Sequence, residues 1–238
     1  MRAYRLYLIR HGLTSGNLEG RYIGSTDLDL CARGAAELLA LREKYEYPNV
    51  GRVYSSPLKR CVETARIFYP DMTPVTVWDL REYSFGAFEN RTPQELKGDP
   101  TYRKWLESAQ ETIPQGAEAM SDFKERVLRG FHGVLMDMMS TGISDAAVVT
   151  HSGVIMSFLA RCGLPRRGMM DWKVESGCGY TVVVNAALWS NAQAVEVFTP
   201  IPYGVETDGI MLEYQHELPI DNSWSEEEDR DFDNGNLI

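Results

Sequence analysis

The sequence predicts an α/β fold, a three-layer α/β/α sandwich built on a mainly parallel sheet. Three observations carry this expectation. Short apolar, strand-like runs alternate with segments of helical periodicity, the pattern of crossover units. Two of those runs, "LYLIRHG" and "AVVTHSG", each stop at a histidine with a glycine close behind. The 238 residues, 44% of them hydrophobic, suffice for one sizeable core.

Taken in order, "YRLYLI" (4–9) is the first strand. "ARGAAELLALREKY" (32–45) spaces Ala35, Leu38, Leu39 and Leu41 as a helix does. "GRVYSS" is a short strand, and Ser56 with Pro57 suit the N-cap and first position of the helix "PLKRCVETARIFY". "TPVTVWDL" (73–80) reads as a strand, and 92–110 and 121–140 as helices. The second of these carries Phe123, Val127, Phe131, Val134, Leu135 and Met138. "AAVVTHSG" is a wholly apolar strand, "VIMSFLARCG" a helix, and "GYTVVVNAALW", "AVEVFTP" and "GIMLEYQHEL" closing strands. No repeat or interdomain linker interrupts residues 1–220, read as one domain; 221–238 are read as an acidic, disordered tail. From Glu226 onward, six acids face one arginine, half of the net charge of −10.

That net charge argues against nucleic acid as a partner, and no stretch approaches the roughly 20 apolar residues of a membrane span. The N-terminus lacks a small-residue cleavage site and reads as a strand rather than a signal peptide. Cys31, Cys61, Cys162 and Cys178 show neither C-x-x-C spacing nor disulfide density, so a cytoplasmic location is the simpler reading. The sequence leaves the choice between monomer and homodimer open.

Ligands of parallel sheets bind outside the carboxyl ends of the strands. If the two histidine-ended strands are parallel, His11 and His151 meet there, with Arg10 beside His11 and Arg60 in the first turn of the helix after "VYSS". Two histidines could hold a metal with a carboxylate, but two guanidinium groups repel a dication and match phosphate oxygens. Phosphate, rather than a metal, is the expected ligand. Other phosphatase chemistries fit poorly. "DLDLC" has no apolar strand before it, Cys61 and Arg66 are mis-spaced for a cysteine phosphatase loop, and no G-x-x-x-x-G-K or G-x-S-x-G occurs.

"LIRHGLTSGN", "SSPLKRCVETA", "LREYSFGAFEN" and "VVTHSG" resemble, in order, the four motifs of the histidine phosphatase superfamily, which includes cofactor-dependent phosphoglycerate mutases and many small phosphatases. The resemblance implies that His11 is the nucleophile, that Arg10, Asn17, Arg60 and His151 grip the phosphoryl group, and that Glu82 is the proton donor, without any cofactor. Gly12 would let backbone approach the phosphate, and Thr14, Ile23 and Gly24 are the substrate-side candidates. Glu89, Arg66, His132 and His216 read as structural or surface residues. "RYIGSTD" further resembles the alpha-ribazole phosphatase branch; Ile23 stands where mutases usually carry a hydroxyl. The 69 positions from Glu82 to His151 leave no room for the longer mutase insert. A small phosphorylated metabolite is therefore the expected substrate, with mutase activity or non-catalytic phosphate binding as alternatives. Phe85, Phe88, Tyr102 and Trp105 could wall a ring-bearing leaving group. Three positions depart from the family pattern: Leu13, commonly acidic; Cys31, commonly Thr or Ser, with an expected cap loss of about 1 kcal/mol; and Asn90, commonly Gly.

Overall fold

The computed structural model describes residues 3–108 and 112–204. The chain runs through β1 (Ala3–Arg10), α1 (Ser15–Leu18), α2 (Ala32–Lys44), β2 (Arg52–Ser55), α3 (Lys59–Phe68) and β3 (Val75–Thr76). It continues through α4 (Pro93–Leu96), α5 (Pro100–Glu107), α6 (Met120–Thr141), β4 (Asp145–Thr150) and α7 (Ser152–Cys162). β5 (Gly163–Leu164), β6 (Gly179–Asn185), α8 (Ala186–Ala192) and β7 (Val195–Ile201) close it. The strand expected at 209–218, His216 and the acidic tail lie outside the described residues.

The strands form one sheet in the order β3-β2-β4-β1-β6-β7-β5. β1, β2, β3 and β4 pair in parallel, whereas β6 runs antiparallel to both β1 and β7. Period-two alternation along β1 creates the layers. Leu6 and Leu8 face the apolar sides of α6 and α7, while Tyr7 and Ile9 face Leu38 of α2 and Cys61, Ala65 and Phe68 of α3. β4 does the same with Ala146 and Val148 against Ala147 and Val149. All six apolar positions read along α6 are buried, and Phe131 stacks on Phe158 with ring centroids 3.9 Å apart. In α2, by contrast, only Leu38 is deeply buried among the expected apolar positions, and Leu39 is exposed.

Several boundaries differ from expectation for local reasons. α3 begins at Lys59 rather than Pro57, because its cap comes from elsewhere: the Asp27 carboxylate accepts from the Lys59 N–H at 2.8 Å. Residues 73–80 form only the two-residue β3 before a 3₁₀ turn at Trp78–Leu80. The expected helix 92–110 is two helices, broken where Asp99 caps Thr101 and Pro100 cannot continue the preceding turn. Residues 186–189 leave the strand and begin α8, capped by Asn185. Cys31 keeps its cap: its Sγ accepts from the Gly34 N–H at 3.3 Å. Asn90 has φ 58°, the left-handed conformation that Asn tolerates better than other side chains. Phe88, Tyr102 and Trp105 form a buried satellite core with Leu96, which leaves only Phe85 of the expected aromatic wall half-exposed. Among the described residues no helix is long and apolar enough to cross a membrane.

The β1–β6 register holds the lower half of the site, since the Arg10 N–H donates to the carbonyl of Cys178. A Cβ on Gly179 would collide with the Leu8 carbonyl, whereas one on Gly98 would meet nothing. Gly179→Ala should therefore lower stability by roughly 1–3 kcal/mol in urea unfolding. Gly98→Ala should stay within about 0.5 kcal/mol of the parent. Equal midpoints for the two variants would contradict this packing.

Candidate active site

Parallel register brings the two histidines together. Arg10 of β1 pairs with Thr150 of β4, so His11 and His151 leave the sheet side by side, with ring centroids 5.1 Å apart. On the other flank of β4, Ser55 pairs with Val149, which sets Ser56 level with the same edge. Three neighbouring strands thus deliver Ser56, His151 and His11 to one spot.

Arg60, from the first turn of α3, is fully buried beneath them. Its Nε–H is shared between His11 Nε2 and His151 Nδ1, each 3.3 Å away. Its other two nitrogens donate to the carbonyls of Thr26 and Gly24, both at 2.8 Å. These contacts assign the tautomers. His11 Nδ1 lies 2.6 Å from the Gly12 carbonyl and must donate to it, so Nε2 carries the lone pair. His151 accepts at Nδ1, so its Nε2–H donates to Ser56 Oγ at 2.8 Å. Burial, then the Arg60 charge, holds both imidazoles well below the usual histidine range; Arg10 adds to this for His11, and His11 for His151.

Arg10 donates to the Val174 carbonyl at 2.7 Å, but its Nε is buried with no acceptor among the described residues. Neither Arg10 nor Arg60 has a carboxylate in contact among the described residues. Asn17 Oδ1 accepts from the N–H and the hydroxyl of Thr14, a capping box that leaves the Asn17 amide N–H groups for another acceptor. Thr14 therefore acts through Asn17, and its side chain is fully buried.

Glu82 lies across the site at the first turn of α7. Its carboxyl oxygens accept from the N–H groups of Tyr83 at 2.9 Å and Gly153 at 3.1 Å. Burial raises its pKa against the opposing pull of those N–H groups, Arg60 and Arg10. The site thus holds an acid that favours its proton beside imidazoles that resist theirs, in a pocket of fixed positive charge. Such an arrangement can bind an oxyanion, attack it with nitrogen and protonate a leaving oxygen.

Other candidates take different places. At Gly12 a Cβ would press on Leu38 of α2, 2.6 Å away, and the Gly12 N–H donates to Thr64 Oγ1 at 3.0 Å, so the backbone here is closely packed. Gly24 lies against the Tyr83 carbonyl and gives its own carbonyl to Arg60. Ile23 packs over Gly16. Arg66 is exposed and has no ion-pair partner among the described residues, and His132 accepts from Trp189 Nε1. Glu89 is structural: it accepts from the N–H groups of Gly24, Ser25, Thr26 and Phe85, tying the loop under Arg60 to the loop of Glu82. Ser56 was legible only as a helix cap, although it too ends a parallel strand at the ligand edge.

Below the ordinary histidine value of about 6.5 the unfolded chain takes up protons that the folded site refuses, so stability is lost as pH falls through that value. Glu82 acts in the opposite sense, its contribution being lost as pH rises through its folded value. The fall in urea midpoint between about pH 7.5 and about pH 5.5 should shrink in His11→Asn. An unchanged fall would contradict a neutral, buried imidazole.

Residues 6–192 match the model of the histidine phosphatase superfamily (branch 1). The chain is 32% identical over 186 residues to an adenosylcobalamin/alpha-ribazole phosphatase of Escherichia coli, covering 76% of this chain and 90% of that one. It is 29% identical over 162 residues to a 2,3-bisphosphoglycerate-dependent phosphoglycerate mutase 2 of Gloeobacter violaceus, covering 65% and 73%. The crystal structure of the alpha-ribazole phosphatase from Shigella flexneri superposes with a TM-score of 0.70 at 27% identity, over 82% of this chain and 95% of that one. With its four motifs gathered at one edge of this sheet, the chain belongs to the histidine phosphatase superfamily.

Proposed function

We propose that the protein is a metal-independent phosphomonoester hydrolase that works through a phosphohistidine at His11. The observation that carries this reading is a buried imidazole whose Nδ1 proton goes to the Gly12 carbonyl and whose Nε2 lone pair meets the Arg60 guanidinium, while neither Arg60 nor the adjacent Arg10 has a carboxylate in contact among the described residues. In the proposed reaction His11 Nε2 attacks phosphorus in line. The P–N bond forms as the ester P–O bond breaks, and Glu82 gives its proton to the departing oxygen. Water then attacks phosphorus and passes its proton to the Glu82 carboxylate. The P–N bond breaks, neutral His11 is restored, and inorganic phosphate leaves.

Arg10, Arg60, Asn17 and His151 hold the non-bridging oxygens, where charge is carried through the transition state. The arriving dianion offsets the burial and positive charge that keep His151 neutral, so His151 can take a proton from solvent at Nδ1, in place of the Arg60 N–H it accepts in the free site, and donate it to a phosphate oxygen. No cofactor, nucleic acid or membrane enters this reading, and a cytoplasmic location suits the four free cysteines. The substrate is a small phosphorylated metabolite, with alpha-ribazole 5′-phosphate favoured by the activity named for the relatives. The half-buried rings of Tyr22 and Phe85, 5.1 Å apart on the two loops joined by Glu89, offer apolar surface for its ring system.

The mutase-named relative supports a second reading, phosphoryl transfer between phosphoglycerate isomers on the same histidine. Aliphatic Ile23 disfavours it, since that side chain offers a substrate carboxylate no hydrogen bond. With a chelator present, the parent should hydrolyse an aryl phosphate and alpha-ribazole 5′-phosphate. After acid-free denaturation it should retain an acid-labile, alkali-stable phosphoryl label. His11→Ala should lose both label and turnover, by at least about 10³-fold. Undiminished turnover in that variant would refute the mechanism, and isomer exchange with added bisphosphoglycerate would favour the mutase.

A further inference from the structure

The Arg126 guanidinium of α6 is buried, at 6% exposure, and all five of its N–H donors are used. Two go to the Glu118 carboxylate, from Nε at 2.6 Å and from Nη2 at 2.7 Å. The other three go to backbone carbonyls of the acid loop: Asp79 at 2.9 Å, Arg81 at 2.6 Å and Glu82 itself at 3.0 Å. The guanidinium lies over the Phe123 ring, 4.9 Å from its centroid, so its orientation is fixed from a second side. Glu118 closes the clamp by donating its own N–H to the Ser84 carbonyl at 3.0 Å. The backbone is thereby held on both sides of Glu82 by one ion pair.

We propose that Arg126, oriented by Glu118, is the positioning residue that sets the Glu82 carboxyl for proton transfer. This rests on the phosphatase reading above. A buried ion pair is weak evidence for a stabilising role, since apolar residues of similar volume commonly serve packing as well or better. What only a planar fork supplies is simultaneous direction to three carbonyls and a carboxylate, which the point charge of lysine cannot reproduce. Glu82 is tied to Arg126 through its own carbonyl, while its carboxyl is tied to Tyr83 and Gly153. Releasing the first tie lets the acid drift from the leaving oxygen, and displacement of a reacting group by about 1 Å costs on the order of 10²-fold.

The test compares kcat/KM, which reports steps through leaving-group departure, for an alkyl phosphate and for 2,4-dinitrophenyl phosphate. The alkyl ester needs a proton as it leaves; the dinitrophenyl ester does not. Arg126→Met should lower kcat/KM for the alkyl ester on the order of 10²-fold and for the dinitrophenyl ester only a few-fold. Glu82→Gln should shift the ratio in the same direction, and Arg126→Lys should restore little of it. Glu118→Gln, which keeps the three carbonyl contacts but weakens the clamp, should show a smaller shift of the same sign. That variant decides the matter if Arg126→Met does not fold. Equal losses on both esters, or no loss, in a folded variant would overturn the proposal while leaving the phosphatase reading intact. A parent inactive on both esters would instead remove that reading and this one with it.

Discussion

A single buried cation organises this molecule. Arg60 reaches both imidazoles with one N–H and two loop carbonyls with its other nitrogens, without a carboxylate in contact among the described residues. Burying such a charge is costly unless something nearby compensates it. Carbonyl dipoles and imidazole lone pairs do so in part, and an oxyanion would complete the compensation. Burial, with the same charge second, holds His11 and His151 well below the usual histidine range, which favours the neutral imidazole needed for attack. The binding charge therefore also contributes to the nucleophile's readiness, second to burial.

The surrounding structure keeps that cation and the acid in fixed relation. Glu89 gathers four backbone N–H groups from the two loops that meet at the site, and Gly24 and Thr26 of one loop present their carbonyls to Arg60. Arg126 and Glu118 fasten the other loop to α6. Beneath both, the β1–β4 register sets the two histidines level. Loops that carry chemistry are thus tied to each other and to α6 by carboxylates and a guanidinium whose partners are mostly backbone. Side chains can vary around such a frame while the frame keeps its geometry.

Much of this was legible because it is periodic or local. Alternation in β1 and β4 and the apolar stripe of α6 follow from residue spacing, and the rule that ligands sit at the carboxyl edge brought His11, His151, Arg10 and Arg60 together. Long-range caps and hubs were not legible. Asp27 caps α3 across more than thirty residues, so local pattern pointed to Ser56, whose hydroxyl accepts from the Leu58 N–H at 3.4 Å and, more closely, from His151. Glu118 and Arg126 show nothing unusual in sequence, because their meaning lies in carbonyls that no side-chain pattern records. Phe88, Tyr102 and Trp105 looked like a binding wall because aromatic residues near a site and in a satellite core read alike.

The chemistry of this site requires His11 to be neutral, with its proton on Nδ1 and its lone pair on Nε2. Nitrogen-15 NMR of histidine-labelled protein near pH 6.5 reads this directly. A pyrrole-type Nδ1 and a pyridine-type Nε2 for His11, assigned by their loss in His11→Asn, are the predicted result. An imidazolium signal, or the opposite tautomer, would contradict the account.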